Sequence, residues 1–287
     1  IGMRFSDRVT GNRNTDAKQA KILHFDIDPS EIGKNITPTL GILGDIKESI
    51  TMVTEKLKEN NHKEWIDSFK PLENKEHEKV FVKEVENCTG DIHMGEVVDK
   101  ISKATGNKAV LVTDVGQNQI MSARYFKYKQ TRSVITSGGL GTMGFGLPAA
   151  MGAKVGAPDR TVCAFCGDGG LQMTIEELGT IMQSSIGVKI ILLNNNKLGM
   201  VRQWQELFWH KRYSFTDMLN PDFSMIASAF GIKNSVVEKR EDLDKGIADM
   251  LKDDKAYMLI VNLEECGLVY PMTPAGDDVT NVLLEKK

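Results

Sequence analysis

Two hydrophobic periods run along this chain. From about residue 94 onward, short apolar runs alternate with stretches whose apolar positions return every three or four residues, which predicts strands interleaved with amphipathic helices. The runs at 109–113, 133–136, 162–165, 188–193 and 257–261 read as strands. Helices are expected at 94–105, at 148–155 and at 174–183, where Thr174-Ile175-Glu176-Glu177 has the form of a capping box and Ile175, Leu178, Ile181 and Met182 share a face. Asn220-Pro221 reads as the cap of a further helix carrying Phe223, Ile226, Ala227 and Phe230 and closed by Gly231. Leu243, Ile247, Met250 and Leu251 mark another. The run at 188–193 reads as continuous and apolar, suited to a central parallel strand covered on both faces. Strands and helices in this order predict an α/β fold with a doubly wound parallel sheet.

Upstream the pattern is thinner. A polar loop bounded by Gly2 and Gly11 opens the chain with no strand before it, as expected of a chain cut inside a larger protein. A strand follows at 21–25, with Asp26-Ile27-Asp28-Pro29 as its exit, then a helix at 46–58 with Ile46, Ile50, Val53 and Leu57 on one face. Lys, Glu, Asn and His crowd around Pro71, so 61–92 reads as a linker with a helical turn near Trp65. The expected division is therefore 1–60, a linker at 61–92, a main domain at 93–268 and a tail at 269–287.

Composition narrows the function classes. With 287 residues, 41% hydrophobic and 26% charged, the chain is long and apolar enough to bury a core, which excludes a disordered or fibrous protein. Lys and Arg number 36 against 39 Asp and Glu, a net charge of −3 without any long block of one sign, so no nucleic-acid partner is expected. No apolar stretch reaches membrane-spanning length and no signal peptide is visible, so no membrane is expected and the cytoplasm is the expected location. Cys88, Cys163, Cys166 and Cys266 are scattered, as free thiols in a reducing compartment would be. Cys163 and Cys166 spell C-x-x-C, but three apart on a strand they point to opposite faces and read as small buried hydrophobes.

Two phosphate-binding patterns then compete. Gly139-Leu140-Gly141-Thr142-Met143-Gly144 matches G-x-G-x-x-G between a strand and a helix, with Asp168 placed where an NAD-dependent dehydrogenase would hold its ribose. Against this stands what surrounds the acid: Gly167-Asp168-Gly169-Gly170, a helix, a buried strand, then Asn194-Asn195-Asn196. Asp168 and Asn195 would end two parallel strands at one sheet edge, giving a carboxylate and an amide oxygen to one Mg²⁺. Gly169 and Gly170 leave backbone N–H groups open to phosphate. This layout fits a magnesium-bridged diphosphate better than a dinucleotide.

G-D-G followed some two dozen residues later by N-N resembles the signature of thiamine-diphosphate enzymes. The segment from Ser137 to Ala150 resembles the large, catalytic subunits of the acetolactate (acetohydroxyacid) synthase family. So do Arg4-Phe5-Ser6-Asp7-Arg8-Val9-Thr10-Gly11, Thr113-Asp114-Val115-Gly116-Gln117, Met200-Val201-Arg202-Gln203-Trp204 and Val269-Tyr270-Pro271-Met272. The resemblance runs the length of the chain and covers the C-terminal part of such a subunit. It implies that 1–60 ends a central FAD-binding-type domain and that 93–268 binds thiamine diphosphate and Mg²⁺.

The resemblance implies site residues too. Asp168, the Asn195 side chain and the Lys197 carbonyl would ligate Mg²⁺, while Gly169, Gly170, Gln117 and Asn118 would hold the diphosphate and Val115, Gly116 and Gly167 would also contact the cofactor. The Gly141 carbonyl and Met143 would receive and bend the thiamine moiety. Met200, Val201 and Trp204 would line the substrate route, with Met200 also against the cofactor. Gly2, Arg4, Arg8, Asp26 and Asp45 would serve FAD, which takes no net redox part. Asn118 stands where the family usually has His, and Ser6 where Asp is common.

The implied reaction decarboxylates pyruvate and condenses the remaining two carbons with a second 2-oxo acid. Pyruvate as acceptor yields 2-acetolactate, and 2-oxobutyrate yields 2-aceto-2-hydroxybutyrate, on the route to isoleucine and valine. The family's catalytic glutamate belongs to an N-terminal domain, so no catalytic residue is assigned within 1–287 and the chain alone is expected to be inactive. Dimers or tetramers and a small regulatory subunit are the implied partners. A pyruvate oxidase or decarboxylase type of enzyme is the near alternative, opposed by the segments at 4–11 and 200–204. A non-catalytic assembly or regulatory piece is the remaining alternative and leaves the metal pattern unexplained. His24 and His210 receive no catalytic role.

Overall fold

The strands lie in two separate sheets, one of two strands and one of six. The computed structural model describes residues 1–263, 267–274 and 276–285 and comprises two units, Ile1–Val80 with Tyr270–Lys287, and Phe81–Val269.

The first unit contains α1 (Asp7–Thr10), β1 (Leu23–Asp26), β2 (Leu40–Leu43), α2 (Ile46–Thr54), α3 (Lys63–Asp67) and α4 (Lys70–Glu76). β1 and β2 pair in parallel, with Asp26 opposite Leu43. α2 starts where Asp45 accepts the Lys47 N–H at 2.8 Å, an N-cap that satisfies one orphan donor. The helix stops at Thr54, short of the expected 58.

The segment 61–92, expected as a linker, is largely helical. α3 and α4 are followed by a π-helix over His77–Glu86, and Trp65 packs edge-on against Phe69 at 4.9 Å. The residues at 270–285 are tied into the first unit. The Asn12 N–H donates to the Asp277 carbonyl at 2.9 Å, Met272 and Leu283 form an antiparallel bridge, and Lys79 pairs with Glu285 at 2.7 Å.

The second unit continues with α5 (Met94–Ala104), β3 (Val110–Thr113), α6 (Gln117–Tyr125), β4 (Val134–Thr136), α7 (Gly146–Gly156), β5 (Val162–Gly167), α8 (Asp168–Gln172) and α9 (Glu177–Ser184). Then come β6 (Val188–Asn194), α10 (Gly199–Phe208), α11 (Phe223–Ala229), β7 (Lys233–Val237), α12 (Arg240–Met250) and β8 (Tyr257–Asn262). Its six strands lie in the order β4-β3-β5-β6-β8-β7, and every pairing is parallel. This is the expected α/β sheet covered by helices on both faces.

Alternation along the strands divides the core in two. Leu111, Cys163, Phe165, Ile191 and Leu259 pack with α5, α6 and α12, while Val112, Ala164, Cys166, Ile190 and Met258 pack with α7, α8, α9 and α11. Cys163 and Cys166 thus lie in opposite cores as free, fully buried thiols, and burial pushes the Cys163 thiol up to about 12. Cys266 lies outside the described residues.

The strand at 188–194 is less uniform than expected, because Lys189 sits within it. Its ammonium is satisfied by the carbonyls of Asp253 and Lys255, each at 2.6 Å, while burial pulls its pKa down.

Candidate functional site

From β3 the chain moves outward to β4 and then returns to β5 on the other side of β3. At such a reversal the crossovers leave on opposite faces, and a crevice opens beyond the carboxyl ends of the two strands. A cleft of about 210 Å³ occupies that place.

Four separated segments supply most of its lining. Val115, Gly116, Gln117 and Asn118 come from the end of β3 and the start of α6, and Gly141 and Met143 from the loop before α7. Gly167, Asp168, Gly169 and Gly170 come from the β5–α8 junction, and Asn195, Lys197, Met200 and Val201 from the exit of β6 and the start of α10. Met94, Leu193, Leu198 and Gly199 also line it, without having been singled out by sequence. Trp204 is not part of this lining: its ring packs on Phe208 at 5.0 Å, one turn beyond the part of α10 that reaches the cleft.

Glycine is required at particular points of this wall. Gly116 has φ 122° and ψ −150°, a conformation open only to a residue without Cβ, and it turns the chain so that α6 points its N-terminus at the cleft. At Gly169 a Cβ would meet Leu198 Cδ2 at 2.7 Å. α8 is a single short helix of sequence Asp-Gly-Gly-Leu-Gln, formed despite two poor helix formers because close packing excludes side chains there.

Asp168 is 1% exposed, and burial pushes its pKa up against the opposing pull of hydrogen bonds from Asn220 and the Gly169 N–H. Among the described residues no cationic side chain pairs with it. Instead Asn220 Nδ2 lies 2.6 Å from Asp168 Oδ2, 2.8 Å from Asn194 Oδ1 and 3.0 Å from Asn196 Oδ1. Its own Oδ1 accepts from Gln172 Nε2 at 2.9 Å. One amide therefore joins the exits of β5 and β6.

The sequence suggested that Asn220 caps α11, but the cap is Asp222, which accepts the Met225 N–H at 3.0 Å. The Asn-rich exit is held from outside as well. Met218 donates to the Asn196 carbonyl at 2.9 Å, Leu198 donates to the Thr216 carbonyl at 2.8 Å, and Asn196 adopts φ 54°.

Two other expectations change. The capping box at Thr174 does not form. α9 starts at Glu177, and the Thr174 hydroxyl donates to the Gly144 carbonyl at 2.9 Å, tying the glycine loop down. Asn118 was expected to offer a donor, but its Nδ2 donates to the Val115 carbonyl at 3.1 Å. A flip would set two acceptors together, so Oδ1, buried and unpartnered, is the atom left over. Gln117 spends its Nε2 on Gln203 Oε1 at 3.0 Å and the Gly267 carbonyl at 2.8 Å. Gln203, which the sequence placed in a family-like segment without a role, in turn accepts the Val269 N–H at 2.9 Å.

The donor set has a definite chemistry. A carboxylate, amide oxygens and main-chain carbonyls suit a hard cation, while a helix N-terminus and glycine N–H groups suit an anion. Among the described residues no cluster of three or more His, Cys, Asp or Glu could hold a metal alone. A cation here would therefore take amide and main-chain oxygens together with those of its ligand.

In the first unit, Asp26 and Asp45 gather with Gly2 at the carboxyl ends of β1 and β2, where Gly2 donates to the Phe25 carbonyl at 2.8 Å. Asp26 Oδ1 accepts the Asp28 N–H and Asp45 caps α2, so both carboxylates are already engaged locally. The Arg4 carbonyl accepts from Asn35 Nδ2 at 2.8 Å, and Arg8 lies in α1. No described helix is long and apolar enough to cross a membrane.

The family model for "Thiamine pyrophosphate enzyme, C-terminal TPP binding domain" matches residues 114–261, just over half of the chain. The model for the central domain of the same enzymes matches residues 1–53. Over 285 residues the chain is 39% identical to the acetolactate synthase isozyme 2 large subunit of Escherichia coli (strain K12), covering 99% of this chain and 50% of that protein. It is 40% identical to the acetolactate synthase large subunit of Lactococcus lactis, over 96% of this chain and 47% of the relative. It is 39% identical to the mitochondrial acetolactate synthase of Schizosaccharomyces pombe, over 100% and 44%. The chain thus spans about half the length of the curated relatives it matches.

Proposed function

The chain belongs to the thiamine pyrophosphate enzymes, and on that premise we propose that it carries the C-terminal portion of the large, catalytic subunit of an acetolactate synthase. The reaction is decarboxylation of pyruvate and transfer of the remaining two-carbon unit to a second 2-oxo acid. Pyruvate as acceptor gives 2-acetolactate and 2-oxobutyrate gives 2-aceto-2-hydroxybutyrate, in branched-chain amino-acid biosynthesis. The observation that carries this reading is the convergence of four separated segments on one cleft at the reversal point of the sheet.

The residues present fit thiamine diphosphate with Mg²⁺. Side chains are absent where a diphosphate needs close approach, at Gly169 and Gly170, and the buried Asp168 lacks a cationic partner among the described residues. Asp168, the Asn195 side chain and the Lys197 carbonyl would hold the metal. The N–H groups of Gly170, Gln117 and Asn118 would hold the diphosphate, with Gly169 allowing its close approach while giving its own N–H to Asp168 Oδ1 at 3.0 Å, and Gly141 and Met143 would set the bend of the thiamine moiety. Because the Asn118 side chain leaves an acceptor free, it would suit a hydrogen-bond donor rather than a phosphate oxygen. Met200 and Val201 would wall the substrate route. When bound, the cofactor supplies a nucleophilic carbon that attacks the keto group of a 2-oxo acid.

FAD is proposed for the first unit, at Gly2, Arg4, Arg8, Asp26 and Asp45, in a structural role. A homodimer or tetramer is the proposed assembly, and the words "large subunit" in the relatives' names support a smaller partner. The free thiols of Cys88, Cys163 and Cys166 fit a cytoplasmic setting.

Binding, rather than turnover by this chain alone, tests the reading. Thiamine diphosphate titrated calorimetrically with and without Mg²⁺ should bind only with the metal, and Asp168→Ala should weaken binding about 100-fold or more. Binding of NADH in its place would return the glycine loop to the dehydrogenase reading.

A further inference from the structure

We propose that Asp114 is a positioning residue that sets the separation of the two walls of the cleft; the inference rests on the thiamine-diphosphate reading of that cleft. Asp114 follows β3 and is fully buried, yet no ion pair with a cationic side chain is found for its carboxylate among the described residues. Its partners are main-chain N–H groups: Val115 at 2.8 Å and Gly144 at 3.2 Å on Oδ1, and Gly146 at 2.8 Å on Oδ2. Gly146 is the first residue of the 11-residue α7, so the carboxylate also meets the positive end of that helix.

Two glycines close around the same group. A Cβ on Gly146 would lie 2.9–3.1 Å from the Asp114 N, Cβ and Cα atoms. A Cβ on Gly170 would overlap the carboxylate itself. The β3 end, Gly144 and Gly146 at the end of the loop, and Gly170 therefore meet at one side chain.

The loop needs this anchor. Among the described residues its remaining hydrogen bonds either stay local, such as Gly141 N–H to Ser137 O at 3.0 Å, or go to Thr174. Gly141 and Met143, the cleft-lining residues of this loop, lie next to the segment that Asp114 holds. The opposite wall, Asp168 to Gly170, hangs on β5 and is set by the pairing of β5 with β3 and β6. Asp114 is thus the joint between a wall fixed by the sheet and a wall that has little else to fix it.

Asp114→Asn is close in shape but presents an NH₂ to main-chain donors. In the ligand-free 287-residue chain, hydrogen exchange at 138–146 should accelerate about tenfold or more while β5 and β6 keep their protection. With Mg²⁺ present, affinity for inorganic pyrophosphate should stay within about threefold of wild type, while affinity for thiamine diphosphate should fall about tenfold or more. Gly170→Ala, which must displace the carboxylate, should show the same exchange pattern and is read in its place if Asp114→Asn does not fold.

Unchanged exchange at 138–146, or equal losses for pyrophosphate and thiamine diphosphate, would overturn the positioning role. A wild-type chain that binds neither ligand would sink the thiamine reading, and exchange at 138–146 would still judge the anchor by itself.

Discussion

On the β3 side of the cleft, Asp114 takes its hydrogen bonds from main-chain N–H groups. On the β5–β6 side, Asp168 takes its shortest one from a side-chain amide, that of Asn220. Both carboxylates are buried and neither pairs with a cationic side chain among the described residues. The difference lies in what can move. A main-chain donor cannot turn away without moving the chain that carries it, and glycines packed on Asp114 leave no slack. A side-chain amide can rotate about its own bonds, so Asn220 can turn away from Asp168 without displacing a strand. The first wall is thereby fixed through its carboxylate, whereas the second, whose strands the sheet pairing fixes, is adjustable only in the side chains around its charge.

The sharpest way to break this contrast is to overfill the fixed wall. Gly146→Val should cost about 3 kcal/mol, because the added atoms meet the Asp114 backbone. Thermal unfolding of the chain should fall by roughly 6–12 °C, and a loss under about 2 °C would mean that this wall yields after all.

On the adjustable wall, Asn220→Ala strips a donor from Asp168, Asn194 and Asn196 at once. It should cost about 1–3 kcal/mol in denaturant unfolding and weaken Mg²⁺-dependent thiamine diphosphate binding about tenfold. Asn220→Asp sharpens the point, since it sets a second carboxylate beside Asp168. Its melting temperature should rise with added Mg²⁺ more than that of wild type, and a magnesium-insensitive variant would count against a cation site here.

The smallest effect is expected at Thr174→Val, which removes one hydrogen bond to the Gly144 carbonyl. About 1 kcal/mol in the denaturant midpoint should be lost, with exchange at Gly144 rising less than in Asp114→Asn.

Much of the sheet was legible because its central strands are nearly continuous apolar runs flanked by glycine, and the two elements carrying G-D-G-G and N-N-N end on the same edge. Other elements were not. β7, Lys-Asn-Ser-Val-Val, is an edge strand with only its last residue buried, so it lacks both alternation and a run. β2 is four residues long and contains Gly41. α6 buries Gln117, Asn118 and Ser122, so its inward face is polar and its period is blurred. Trp204 shares a helical face with Met200, but periodicity cannot say how far along a helix a cleft extends.

The sequence by itself determined the alternation of strands and helices, the opposite facing of Cys163 and Cys166, and the residues that meet at the strand ends. Each follows from a local period or a short motif whose geometry the backbone repeats everywhere. Only the tertiary structure decided that Asn220 serves Asp168 rather than α11, that Thr174 ties Gly144 rather than capping α9, and that Asp114 joins β3 to α7. For Asn220 and Thr174 a plausible partner lay a few residues away and the one taken 30 or more residues distant, while Asp114 keeps its local bond to Val115 and adds one 32 residues away. Burial at the sheet's reversal point decides between them, because a polar group shut away from water takes the partner that the packed chain brings to it.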